Sequence, residues 1–188
     1  MEALLVSMGL VALAEIGDKT QLLAIVLATT FRKPWPIIAG ILCATILNHL
    51  AAATLGYFLS GLFSGMWFKL ATGVGFLLMA GWALIPDKAD DNAASRSVGG
   101  VFLTTLVTFF LVEIGDKTQI ATSLLAARFH NIFVVAAGTT LGMMIADTPA
   151  VLFGEAATKI IPLRYVRCGS AAVLAVLGVL AIVSALNG

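Results

Sequence analysis

The chain has 188 residues, 60% of them hydrophobic and 11% charged, with a formal net charge of +1 and a mean hydropathy of +1.04. Soluble domains carry about 25% charged residues. The composition therefore reads as an all-α integral membrane protein in a lipid bilayer, with little room for a soluble domain and no field suited to nucleic acid.

A bilayer core is crossed by about 20 apolar residues, and on that ruler the chain holds six spans. The first is predicted over residues 3–30. Met1, Glu2, Ala3 and Leu4 show neither a basic region nor a small-residue cleavage site, so this span reads as retained. Residues 31–36, with Arg32, Lys33, Pro34, Trp35 and Pro36, read as a loop. The second span covers 36–59, a turn follows at 60–65, and the third span covers 66–85. Residues 87–98 form a polar cytoplasmic linker between a first unit, 1–86, and a second, 99–188. The fourth span covers 99–128 and is closed by a turn at His130 and Asn131. The fifth covers 132–157, a basic loop with Pro162 covers 159–167, and the sixth covers 168–186. Cys43 and Cys168 have no metal-ligand spacing and read as small buried hydrophobes. Trp35, Trp67 and Trp82 read as interface anchors, and the methionines as packing or lipid contacts.

The sequence Glu-Ile-Gly-Asp-Lys-Thr-Gln occurs twice, from Glu15 to Gln21 and from Glu113 to Gln119. Each copy interrupts a membrane span, where a central Asp or Lys costs roughly 2.5–3.5 kcal/mol. The offset of 98 between the copies also relates Gly40 to Gly138, Gly56 to Gly154 and His49 to Asp147. The chain is thus two copies of a three-span unit. Three is odd, so the second copy is expected to be inverted in the membrane, giving six transmembrane helices as two inverted-topology three-helix repeats with a site at the midplane. The first, third and fifth loops hold seven Lys and Arg residues against Lys69 and Arg128 in the other two. That bias places the odd loops in the cytoplasm and both termini outside it.

If the heptad is helical, Glu15, Asp18, Lys19 and Leu22 share a face, while Thr20 and Gln21 point elsewhere. Gly17 and Gly115 allow either local unwinding or close helix approach. Inversion brings Glu15, Asp18, Glu113 and Asp116 together as a metal site. Thr20, Gln21, Thr118 and Gln119 are expected to add neutral oxygens or support, with Lys19 and Lys117 as charge partners. An oxygen-rich site suits Mg²⁺, Ca²⁺ or Mn²⁺. Four carboxylates and two lysines leave a charge of −2, neutralised by one divalent cation or by two protons. The same groups can then exchange metal for protons. Asn48, His49 and Asp147 are candidates for an ion or proton path through the second and fifth spans. No Walker loop, HExxH or GxSxG motif occurs, so the residues point to a transporter without cofactor and not to an enzyme. A passive divalent-cation channel and an exporter of a small organic cation remain as alternative readings.

The doubled Glu-x-Gly-Asp-Lys-Thr pattern resembles the Gdt/TMEM-type Mn²⁺/Ca²⁺ cation transporter family, whose bacterial members include MneA-type manganese exporters. The pattern fits Glu15, Gly17, Asp18, Lys19 and Thr20, and again Glu113, Gly115, Asp116, Lys117 and Thr118. The resemblance implies export of Mn²⁺, or of Ca²⁺, in exchange for protons, from a bacterial inner (cytoplasmic) membrane. It leaves a homodimer open.

Overall fold

The computed structural model describes residues 1–63, 65–85, 99–154 and 163–187. The expected linker 87–98 and the loop positions 159–162 lie outside these residues. Among the described residues there are eight α-helices and no strand. They are α1 (Glu2–Glu15), α2 (Lys19–Phe31), α3 (Pro34–Leu62), α4 (Met66–Ala83), α5 (Val101–Glu113), α6 (Lys117–Phe129), α7 (Ile132–Phe153) and α8 (Leu163–Leu186). The offset of 98 recurs in the elements: α1 and α5 end on Glu15 and Glu113, α2 and α6 begin on Lys19 and Lys117, and α3 and α7 begin on Pro34 and Ile132.

Among the described residues four helices are long and apolar enough to cross a membrane: α3, α4, α7 and residues Arg164–Leu186 of α8. The expected first and fourth spans are not continuous helices. Each is divided into two short ones, α1 with α2 and α5 with α6. A helix of 13 residues is only about 20 Å long, against a hydrocarbon core of about 30 Å. The division lies at the heptad. Gly17 and Gly115 adopt φ of 80° and 77°, a left-handed conformation that only glycine takes without strain. The isoleucine before each glycine and the aspartate after it are extended.

Other boundaries also moved. Pro34 and Pro36 lie in the first turn of α3 and not in a loop, because proline lacks only an N–H that the first turn leaves unpaired. Helix α3 runs to Leu62, through part of the expected turn at 60–65. Arg164 and Arg167 belong to α8 and not to a loop. Cys168 is exposed rather than buried, and Cys43 is part-buried; both are free. The turn at His130 is present: His130 takes φ 50°, and the Asn131 side chain caps α7 by accepting from Val134 N at 3.0 Å.

The two units interlock. Helix α1 of the first packs on α7 of the second, and α5 of the second packs on α3 of the first. Helices α3 and α7 pack against each other, as do α4 and α8. The equivalent glycines set the interlock. A Cβ on Gly40 would lie 2.7 Å from Thr105 Cβ in α5, and one on Gly138 would lie 2.7 Å from Leu4 O in α1. Backbones can approach this closely only where no side chain intervenes. Thr45 Oγ1 lies 3.0 Å from Met143 Sδ. These residues are themselves 98 positions apart, so equivalent points of the two units touch where α3 and α7 meet. Leu55, Leu78, Phe133 and Val176 are exposed, an outer surface suited to lipid and unsuited to water.

Candidate cation site

The heptad builds its own helix break. Asp18 is the N-cap of α2, its Oδ1 accepting from Lys19 N at 2.6 Å. Gln21 falls three residues later, the glutamine position of a capping box. Its Oε1 reaches back to accept from Gly17 N at 2.7 Å. The second copy repeats the brace, with Gln119 Oε1 accepting from Gly115 N at 2.7 Å. Of the two readings of the heptad, local unwinding at Gly17 is the one present, so the face that a helical heptad would give Glu15, Asp18, Lys19 and Leu22 does not form: the chain leaves the helix at Ile16. Thr20, expected to point away, instead donates from its hydroxyl to Glu15 Oε2 in a short buried hydrogen bond. Thr118 donates to Asp116 Oδ2 at 3.3 Å.

Breaking both helices places each Glu at a helix C-terminus and each Asp at a helix N-terminus. It also brings the two units together. Oxygens of Glu15, Asp18 and Asp116 lie within 4.8 Å of one another, and all three residues are buried. Ca²⁺ sits about 2.3–2.6 Å from its oxygen ligands, so oxygens sharing one ion are at most about 5 Å apart. The three carboxylates meet that condition. Three carboxylates packed away from water repel one another unless cations or protons balance them. Lys19 provides one balance from within, its Nζ lying 2.9 Å from Asp116 Oδ1 of the other unit. Lys117 is buried and lines a small cavity together with Asp18. Its Nζ donates to Ile85 O at 3.1 Å, just past the C-terminus of α4, and lies 5.9 Å from the centre of the Trp82 ring. A cation suits the negative end of a helix and the face of an indole. Trp82, expected only as an interface anchor, thus also touches a heptad side chain.

Glu113 is not part of the three-carboxylate cluster. Asn48 Nδ2 donates to its Oε2 at 2.7 Å, and Thr45 Oγ1 to its Oε1 at 3.4 Å. Asn48 also donates to Phe110 O at 3.1 Å. On the other side, Gln21 Nε2 donates to Ala146 O at 3.0 Å and ties the first heptad to α7. Asp147 is fully buried, and among the described residues neither of its carboxyl oxygens has a hydrogen-bond partner. His49 is buried, with Nδ1 3.5 Å from Thr140 Oγ1 and, among the described residues, no hydrogen-bond partner for Nε2. Beside the cluster, a cavity of about 30 Å³ is lined by Gly17, Asp18, Lys117 and Arg167 among others. That is room for about one water.

Sequence reasoning missed Thr45, Met143 and the Ile85 carbonyl. A threonine or methionine inside an apolar run gives no local signal, since threonine commonly bonds its own helix. Matching the units would have found Thr45 and Met143 as a pair, because they occupy equivalent positions. The capping-box letters Asp-x-x-Gln were a legible signal for the helix break.

The family model described as divalent cation/proton antiporter GDT1 matches residues 3–91 and 101–188. A Vibrio cholerae protein named "Putative manganese exporter" is 49% identical over 168 residues, covering 89% of this chain and 84% of that one. GDT1-like protein sll0615 of Synechocystis is 29% identical over 174 residues, covering 78% of this chain and 80% of its own. GDT1-like protein 4 of Oryza sativa subsp. indica is 28% identical over 180 residues, and the match spans 82% of this chain but 63% of the rice protein. No solved structure matches the chain at a significant level. With nearly its whole length matched in both units, the chain belongs to the divalent cation/proton antiporter family GDT1.

Proposed function

We propose that the protein exports Mn²⁺, with Ca²⁺ as a second substrate, in exchange for protons at one intramembrane carboxylate site. The observation that carries this reading is the convergence of Glu15, Asp18 and Asp116 from two units within 4.8 Å. Glu113, held beside them by Asn48 and Thr45, completes a four-carboxylate set. Thr20, Gln21, Thr118 and Gln119 support it, and Lys19 occupies the site when no metal is bound. Asp147, His49 and Asn48 form the path along α3 and α7. Family membership supplies the exchange of divalent cations for protons, and the name of the Vibrio relative supports manganese and the direction of export.

In this reading α1 with α2, and α5 with α6, each make one broken span. The chain then has six spans in two inverted repeats, 1–86 and 99–188, joined by a cytoplasmic linker, in the inner membrane of a bacterium with both termini outside the cytoplasm. Broken helices suit a cation site because their ends leave carbonyls and N–H groups without intrahelical partners. One set of carboxylates that binds either the metal or protons couples the two fluxes.

Proteoliposomes test this directly. Mn²⁺ flux through the parent should follow an imposed pH gradient, and Mn²⁺ should compete with Ca²⁺. Glu15→Gln should abolish the coupled flux. Flux indifferent to the gradient would make the protein a channel, and full activity in Glu15→Gln would remove Glu15 from the site.

A further inference from the structure

We propose that a cavity at the junction of α4, α6 and α8 binds a phosphate-bearing anion, and that its source is the headgroup of an anionic phospholipid. This inference does not depend on which ion is transported. The cavity measures about 300 Å³ and is lined by Lys69, Arg128, His130, Thr72 and Ser184 among others. Among the described residues no Asp or Glu lines it.

The sequence makes this placement unusual. Apart from the two heptad lysines, seven of nine Lys and Arg residues fall in the first, third and fifth connections as the sequence places them, Arg164 and Arg167 standing in the first turns of α8. Lys69 and Arg128 are the two that do not. Scattered, they would be ordinary interfacial cations. Instead both line one cavity, together with a histidine and two hydroxyls. Like charges brought together with no carboxylate between them repel unless an anion joins them.

Three further observations set the type of anion. Lys69 is the fourth residue of α4, whose N-terminus carries no side-chain cap and adds positive potential, opposed by the C-terminal end of α6 at Arg128. Arg128 is half-buried and already fixed, its Nη1 donating to Leu177 O of α8 at 3.1 Å. That bond leaves the rest of its planar fork for a phosphate. His130 is held through Nδ1, 3.2 Å from Ser60 Oγ. The remaining walls include Phe68, Ala127, Phe129 and Ala181. Trp67, next in sequence to the lining, is strongly exposed, as expected of a tryptophan at headgroup depth. A basic pocket with apolar walls at that depth suits a phosphodiester with its glycerol and acyl stems better than a free ion.

The test uses the full chain purified in detergent and native mass spectrometry, with phosphatidylglycerol as the probe. Phosphatidylethanolamine and inorganic phosphate are the comparison ligands. The parent should retain phosphatidylglycerol in preference to phosphatidylethanolamine. Retention should fall roughly fivefold for each cation removed, in Lys69→Gln and Arg128→Gln. Lys69→Gln is the cleaner variant, since Lys69 is exposed and Arg128 keeps its bond to α8. Arg32→Gln with Lys33→Gln removes two charges elsewhere, more than either single variant, and should leave retention unchanged. Equal retention by Lys69→Gln and the parent, or equal loss in the Arg32 and Lys33 control, would overturn the proposal. Displacement of the lipid by inorganic phosphate at matched concentration would overturn the assignment to lipid and give the cavity to the soluble ion.

Discussion

The two heptads have identical letters and different surroundings. Glu113 faces α3, where Asn48 donates to one of its oxygens at 2.7 Å and the Thr45 hydroxyl lies 3.4 Å from the other. Glu15 faces α7, where the equivalent positions hold Ala146 and Met143, and neither side chain can donate. One oxygen of Glu15 is taken by Thr20 of its own heptad, and Oε1 has no partner among the described residues. A buried carboxylate oxygen without a donor is destabilising by an amount on the order of several kcal/mol. Glu113 is thus anchored, whereas Glu15 is available. Of the lysines, Lys19 crosses to Asp116, and Lys117 reaches the end of α4 and lines a cavity with Asp18. Duplicated letters therefore specify a common backbone break, while the helix opposite specifies the partners of each glutamate.

Three experiments would break or sharpen that comparison. The largest effect is expected in the cluster itself. Asp18→Asn or Asp116→Asn should lower Mn²⁺ flux in proteoliposomes by about 100-fold or more, since ligand losses should exceed the 10–100-fold typical of outer partners. Glu113→Gln should be milder than Glu15→Gln. Equal losses in these two would show that the anchored and available carboxylates are functionally the same. Next, Asn48→Ala should weaken the apparent Mn²⁺ affinity about tenfold by releasing Glu113. Met143→Thr, which offers α7 the hydroxyl that α3 already has, should change it less than Asn48→Ala does. The smallest effect concerns packing. Gly40→Ala and Gly138→Ala should each destabilise the protein by about 1–3 kcal/mol, seen as a lower unfolding midpoint in detergent. The two shifts should be similar, because α5 and α1 approach these glycines equally closely. A shift in one alone would show that the interlock is uneven.

Much of the architecture could be read from the letters. Apolar runs located α3, α4, α7 and α8, and the offset of 98 located the matching elements. The break at the heptad was harder to read, because a 20-residue apolar ruler overlooks a three-residue interruption. The local cues, Gly17 followed by the capping letters of Asp18 and Gln21, outweigh hydropathy there. Asn48 stood out as an amide in an apolar run, yet its partner did not, since contact with Glu113 depends on α5 lying across α3. Inversion of the repeat anticipated that Glu15 and Asp18 would meet Asp116, whereas the place of Glu113 outside those three depends on Asn48 and Thr45 of α3, which no local pattern encodes.

The interlock of α1 with α7 and of α5 with α3 has a consequence for biosynthesis. The surfaces of α1 and α3 that will receive the second unit are complete long before their partners exist. At about 5–20 residues per second, the 98 positions separating equivalent points of the two units take roughly 5–20 s to synthesise. During that interval Glu15 and Asp18 lack Asp116 from the second unit, and their charge must be sheltered by water, lipid headgroups or the insertion machinery. The three-carboxylate cluster is therefore a product of late assembly: Glu15 and Asp18 are made first and wait for Asp116.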